Sequence, residues 1–99
     1  MALLQNLKER DEFMQKFSEQ FKKIEHCKGK VILEHKLFDR QMHRCEDLHT
    51  IDDNSRIGLI IKNQCIYIDK QSVKFVRNRG NIFTMSDDML SITVIVNKL

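Results

Sequence analysis

The chain predicts an α+β domain: an N-terminal amphipathic helix packed on a strongly bent antiparallel β-meander of about five strands, small and barrel-like or two-layered. Three observations lead there. Apolar residues recur at helical spacing up to about residue 26, and with a period of two after Gly29. Turn-forming residues punctuate the second half every few positions. Several of the short strands are also apolar on both faces, so something must cover the sheet twice.

The helix is expected from about Ala2 to His26. Leu3, Leu7, Met14, Phe17, Phe21 and Ile24 fall on the a and d positions of a heptad, interrupted by Arg10. Phe13, Phe17 and Phe21 follow one another at i, i+4 and widen the apolar stripe towards a core-packing face. Gly29 is the expected stop after Lys28. Residues 1–28 are therefore the helical part and 30–99 the β-rich part of one domain in a chain of 99 residues.

Val31-Ile32-Leu33 opens a strand that continues through Glu34, His35 and Lys36. Residues 39–51 fit a helix or a polar edge strand, and strand is preferred because short hairpins dominate the rest of the chain. The later strands are 57–61, 65–68, 73–77, 82–85 and 90–96, with Asn78-Arg79-Gly80-Asn81 the strongest turn. Connections this short make successive strands antiparallel neighbours. A helix before a bent five-stranded meander resembles the Sm-like ring proteins in architecture alone. Their paired signatures, an Asp and an Asn in the first and an R/K-G step in the second, do not occur here in order.

The composition, 41% hydrophobic and 31% charged, is that of an ordinary globular protein. No apolar run approaches the ~18 residues of a membrane span. Leu3-Leu4 is followed at once by Gln5, Asn6 and Lys8, which does not fit a signal peptide. Cys27, Cys45 and Cys65 cannot all pair within one chain, so a reducing, cytoplasmic setting is expected. The net charge of +3 alternates along the chain: −1 over residues 1–21, +4 over 22–44, −4 over 45–55 and +4 over 56–99. Such blocks form patches that steer nucleic acid or an acidic protein surface.

Catalytic signatures are weak. His43, Cys45 and His49 offer metal-binding atoms, with His26-Cys27 and Cys65 elsewhere, but zinc sites draw on two paired arms and only one has a usable spacing. No metal and no cofactor are expected; Cys45 and Cys65 read as small core hydrophobes. Glu34-His35-Lys36 has the (D/E)-x-K form of metal-dependent nucleases, yet a second carboxylate upstream is missing, and the outer face of an edge strand explains it. Cys27 beside His26 makes no nucleophile, because adjacent side chains rarely point at each other. With only Gly29, Gly58 and Gly80, no phosphate loop can be written, and Asp52-Asp53-Asn54-Ser55 reads as an exposed turn. The chain is expected not to be an enzyme.

Binding remains. Phe13, Phe17, Phe21, Met14 and Ile24 are the expected protein interface of an adaptor or inhibitor working as a homo-oligomer, most simply a dimer, with a protein partner. The alternative is a nucleic-acid-binding protein for RNA or single-stranded DNA. There Lys74, Arg77 and Arg79 would neutralise phosphates, and Tyr67 and Phe75 would stack on bases.

Overall fold

A computed structural model describes the backbone of residues 7–97 and the side chains from Asp11 onward. Helix α1 spans Leu7–Phe21 and tightens into a 3-10 turn, Lys22–Ile24. The expectations for Leu3 and Leu4 lie outside the described residues. Eight strands follow: β1 Gly29–His35, β2 Gln41–Cys45, β3 His49–Asp52, β4 Arg56–Ile61, β5 Gln64–Asp69, β6 Phe75–Arg79, β7 Ile82–Ser86 and β8 Leu90–Val96. All are antiparallel, in a five-stranded sheet of order β2-β1-β8-β7-β6 and a three-stranded sheet of order β3-β4-β5. Among the described residues no helix is long and apolar enough to cross a membrane.

The α+β class holds, while the five-stranded barrel-like meander is corrected to two open sheets. Residues 29–52 supply three strands, and among the described residues the strands from 49 to 69 pair only with one another. The ambiguous stretch 39–51 becomes β2 and the start of β3. β1 is also not an edge strand, because β2 and β8 flank it.

The helix does not run to Gly29. His26 takes φ +67, a left-handed conformation uncommon for a side chain of its size, and turns the chain out. Gly29 serves the sheet instead. A Cβ there would lie 2.7 Å from the carbonyl oxygen of Ile95 on the neighbouring β8. The turns follow φ chemistry: Lys62 and Asn63 both have positive φ, as a two-residue hairpin with right-handed twist requires. Gly80, at φ +57, turns β6 into β7. Asn78 and Arg79, expected in that turn, extend β6 instead, and the Nδ2 of Asn78 donates to the carbonyls of Gly80 and Ile82. β6 starts two residues later than expected because a 3-10 turn, Lys70–Ser72, precedes it.

One core joins helix and sheets. Phe17 and Phe21 stack with ring centroids 5.7 Å apart, and each meets Phe83 of β7 edge-on at 5.9 Å. Such pairs add about 0.5–1.5 kcal/mol beyond area burial. Met14, Ile24, Val31, Leu48, Leu59, Ile92 and Val94 complete the centre. A second tie is polar. Asp52, on the inward face of β3 with a side chain only 4% exposed, holds the ammonium of Lys70 at 2.7 Å and accepts from Ser18 of α1 at 3.4 Å.

Two consequences are measurable. Phe21→Ala should destabilise by about 3–5 kcal/mol in a urea titration, whereas Phe13→Ala, at a ring 52% exposed, should change stability by less than about 0.5 kcal/mol. The second concerns the β3–β4 turn, where Asp53 accepts from the amides of Ser55 and Arg56 and pairs with the Arg56 guanidinium at 2.9 Å. These contacts hold its carboxyl down at about 2 from an ordinary 3.8. A depressed carboxyl stabilises wherever its unfolded counterpart is already ionised. The stability gap between the protein and Asp53→Ala should thus be constant above about pH 5 and narrow as pH falls from 3.8 towards 2.

Candidate functional site

The outward face of the five-stranded sheet is built by register. The pairs Lys30↔Arg44, Lys30↔Ile95, Ile82↔Ile95 and Arg79↔Ile82 line up one row: Arg44, Lys30, Ile95, Ile82, Arg79. The next row is Met42, Ile32, Thr93, Thr84, Arg77, and the third holds Glu34, Ser91, Ser86 and Phe75. None of these residues is buried, in contrast to Val31, Leu33, Phe83, Met85, Ile92 and Val94 on the opposite face. The helix packs against that opposite face through Phe83, and among the described residues the outward one stays open.

Charge is concentrated on the open face. Lys30, Arg44, Arg77 and Arg79 stand against the single acid Glu34, a net of +3 that equals the net charge of the whole chain. Among the described residues, none of the four cations lies within ion-pairing distance of a carboxylate. Lys30 and Arg44 are direct cross-strand partners, an arrangement that costs stability unless something negative lies over it. Hydroxyls of Thr84, Thr93, Ser86 and Ser91 occupy the middle.

Of the expected nucleic-acid residues, Phe75, Arg77 and Arg79 share this face. Lys74 lies one residue ahead of β6 and is exposed, its amide bonded to Ser86. Tyr67 is elsewhere: it sits on the outward face of β5 in the other sheet, under the Arg56 guanidinium at 5.1 Å. Lys30 and Arg44 were missed, although Lys30-Val31-Ile32-Leu33 and Met42-His43-Arg44 already carried the alternation that puts them on one side. Of the expected protein interface, Met14, Phe17, Phe21 and Ile24 are buried in the chain's own core, and only Phe13 is exposed.

No family model, curated protein or solved structure matches this chain.

The metal-binding atoms also regroup. His43 contacts Gln41 at 3.1 Å and does not meet His49. Cys45 packs half-buried against the core, where burial pushes its thiol up, while Cys65 is exposed on β5 rather than a core hydrophobe. His49 instead joins Glu25, His26 and Asp47. His26 Nδ1 lies 2.8 Å from Asp47 Oδ1, and the two imidazoles meet edge-on at 5.5 Å. The hydrogen bond to Asp47, and then its charge, raise the His26 pKa. Burial alone would raise that of Glu25, but hydrogen bonds from the amide and hydroxyl of Thr50 and from His49, with the charge of His26, outweigh it and hold it low. Glu34-His35-Lys36 forms no comparable cluster: His35 Nδ1 accepts from the amide of Leu37 at 3.0 Å, and its ring tilts on Phe38.

The unpaired like charges allow a direct check. Arg44→Thr should raise stability by about 0.2–1 kcal/mol at low salt, and the gain should fade at 1 M salt, where screening acts within about 3 Å.

Proposed function

We propose that the protein is a non-enzymatic binding protein for single-stranded nucleic acid, RNA or single-stranded DNA, held across the open face of its five-stranded sheet. The observation that carries this reading is the uncovered face itself, with four cations, one acid and no buried residue. Arg44 and Lys30 at one side and Arg77 and Arg79 at the other can neutralise phosphates, while the central hydroxyls can bond to phosphates or base edges. Phe75, exposed beside Arg77, offers a stacking surface. Width favours a single strand. Five strands about 4.8 Å apart span about 19 Å, too broad to enter a major groove about 12 Å wide.

The same charges argue against pairing two copies through this face, because two like-charged surfaces would meet. A second reading, the protein-binding adaptor or inhibitor working as a homo-oligomer, draws on other residues. Leu37 and Phe38, 72% and 70% exposed, project from the β1–β2 turn. Met89 adjoins them through the bond from the Lys36 amide to its carbonyl, so the end of the sheet carries an apolar tip.

Binding to fluorescent single-stranded oligonucleotides across a salt series decides between the readings. Four neutralised phosphates give a slope of log K against log salt near about −3, at ~0.7 per contact. Arg77→Ala with Arg79→Ala should weaken all sequences alike and flatten the slope by about 1.4. Absence of salt-sensitive binding would overturn the first reading. A protein partner recovered from lysate after nuclease treatment, and lost with Leu37→Ser and Phe38→Ser, would establish the second.

A further inference from the structure

Away from the sheet face, two loops bring together four side chains far apart in sequence. The chain after the 3-10 turn and the chain before β3 are clamped by two backbone bonds, His26 N to Leu48 O at 2.7 Å and Leu48 N to Cys27 O at 2.9 Å. Glu25 and His26 come from the first segment and Asp47 from the second, while His49 is the first residue of β3. One ligand atom each from Glu25, His26 and His49 falls within 4.8 Å of the others. His49 Nδ1 lies 3.3 Å from Glu25 Oε2, and His26 Nε2 lies 3.9 Å from that same oxygen.

Atoms facing away from this convergence are occupied. Asp47 Oδ1 is hydrogen-bonded to His26 Nδ1 at 2.8 Å, and its Oδ2 lies at ion-pairing distance, 3.3 Å, from His49 Nε2. Glu25 Oε1 accepts from the amide and hydroxyl of Thr50 at 2.6 and 2.7 Å. Each of the three is therefore steered through the atom it does not turn inward, the arrangement by which outer carboxylates orient metal-ligating histidines.

As the structure stands, His49 Nδ1 shares a hydrogen bond with Glu25 Oε2 at 3.3 Å, and a bound cation would take the place of that proton. A neutral imidazole has one N–H and one lone pair, so with the N–H of each ring turned to Asp47 the two inward nitrogens and the carboxylate oxygen become a donor set. Ligands about 2.0–2.1 Å from a tetrahedral ion lie about 3.4 Å apart. The 3.3 Å separation already fits, the 3.9 Å one needs to shorten by about half an ångström, and the two imidazole nitrogens, within 4.8 Å of each other, close in with it.

We propose that Glu25, His26 and His49 form a site for a borderline divalent cation of the zinc class, with Asp47 and Thr50 as positioning residues. Imidazole nitrogens favour such an ion over Mg²⁺ or Ca²⁺, which prefer all-oxygen shells. Three protein ligands leave a fourth position to water or an external donor. The side chains stay accessible, His26 at 69% exposure, so the ion can enter from solvent. The inference does not depend on the sheet-face reading, since it uses none of those residues.

Zinc titration of the chelator-treated full chain, in competition with a chromophoric indicator and over millimolar Mg²⁺, tests it. The expected result is one zinc per chain, with cobalt giving the absorption of a tetrahedral site. Glu25→Gln and His49→Ala should each weaken zinc at least tenfold, and Asp47→Asn by about 10–100-fold. His43→Ala with Cys45→Ser should leave it unchanged. Zinc should raise the melting temperature of the parent but not of the ligand variants. Circular dichroism checks that each variant folds; should His49→Ala fail, Asp47→Asn decides. Absence of stoichiometric zinc overturns the proposal and leaves an exposed ion-pair cluster. So does affinity unchanged in Asp47→Asn, or lost only in the His43 and Cys45 variant.

Discussion

The ladder between β1 and β8 is the contact on which the rest of the architecture depends. It pairs Gly29 with Val96 and runs for seven residue pairs to His35 and Leu90, joining the segment after the helix to the last described strand. Closing a loop that long is entropically costly, and the close fit over Gly29 has to be reached before the gain of pairing is realised. Without this ladder, β1 and β2 would be a separate hairpin and β6–β8 a separate meander. Lys30 and Arg44 would then not share a surface with Arg77 and Arg79, and Val31 and Leu33 would not meet Val94 and Ile92. A long-range pairing of this kind also raises contact order and slows folding.

Much of this fold was legible because its signals are local. The i, i+4 phenylalanines announce α1, and Leu90–Val96 reads as a strand from its own residues. Asparagine and glycine mark the hairpins. The β1–β8 ladder is not legible in that way, since no short window contains both partners. The helix end was misread for a related reason. Gly29 is a common stop, but its missing side chain was needed by the sheet, and a histidine took the left-handed turn. The candidate surface was half legible: Arg77, Arg79 and Phe75 are adjacent in sequence, while Lys30 and Arg44 reach them only through pairing. Tyr67 was misplaced because its hairpin belongs to the other sheet. The Glu25–His26–Asp47–His49 cluster lay hidden for the same reason, its halves being about twenty residues apart.

The helix illustrates how an amphipathic stripe is ambiguous in sequence. Phe17 and Phe21 would serve a partner or a core equally well by spacing. Here Phe83 meets both rings, and the stripe is spent within the chain. What remains outside is Phe13 on the helix, Leu37, Phe38 and Met89 at the far turn, Met42, Phe75 and Ile82 on the open sheet face, and Ile60 and Tyr67 on the other sheet, so exposed apolar surface is divided rather than gathered.

Open sheets have edges, and an edge is an invitation to foreign strands. β2 and β6 border the larger sheet, with no further strand beside them among the described residues, and both carry arginines. Charged side chains on a border strand discourage another copy from docking there and growing into an aggregate. Arg44, Arg77 and Arg79 thereby guard solubility as well as forming the basic surface. Neutralising them would expose a bare border at the same moment that it removed the charge. Exchange for glutamate would reverse the surface while keeping the guard, which separates the two duties that these side chains share.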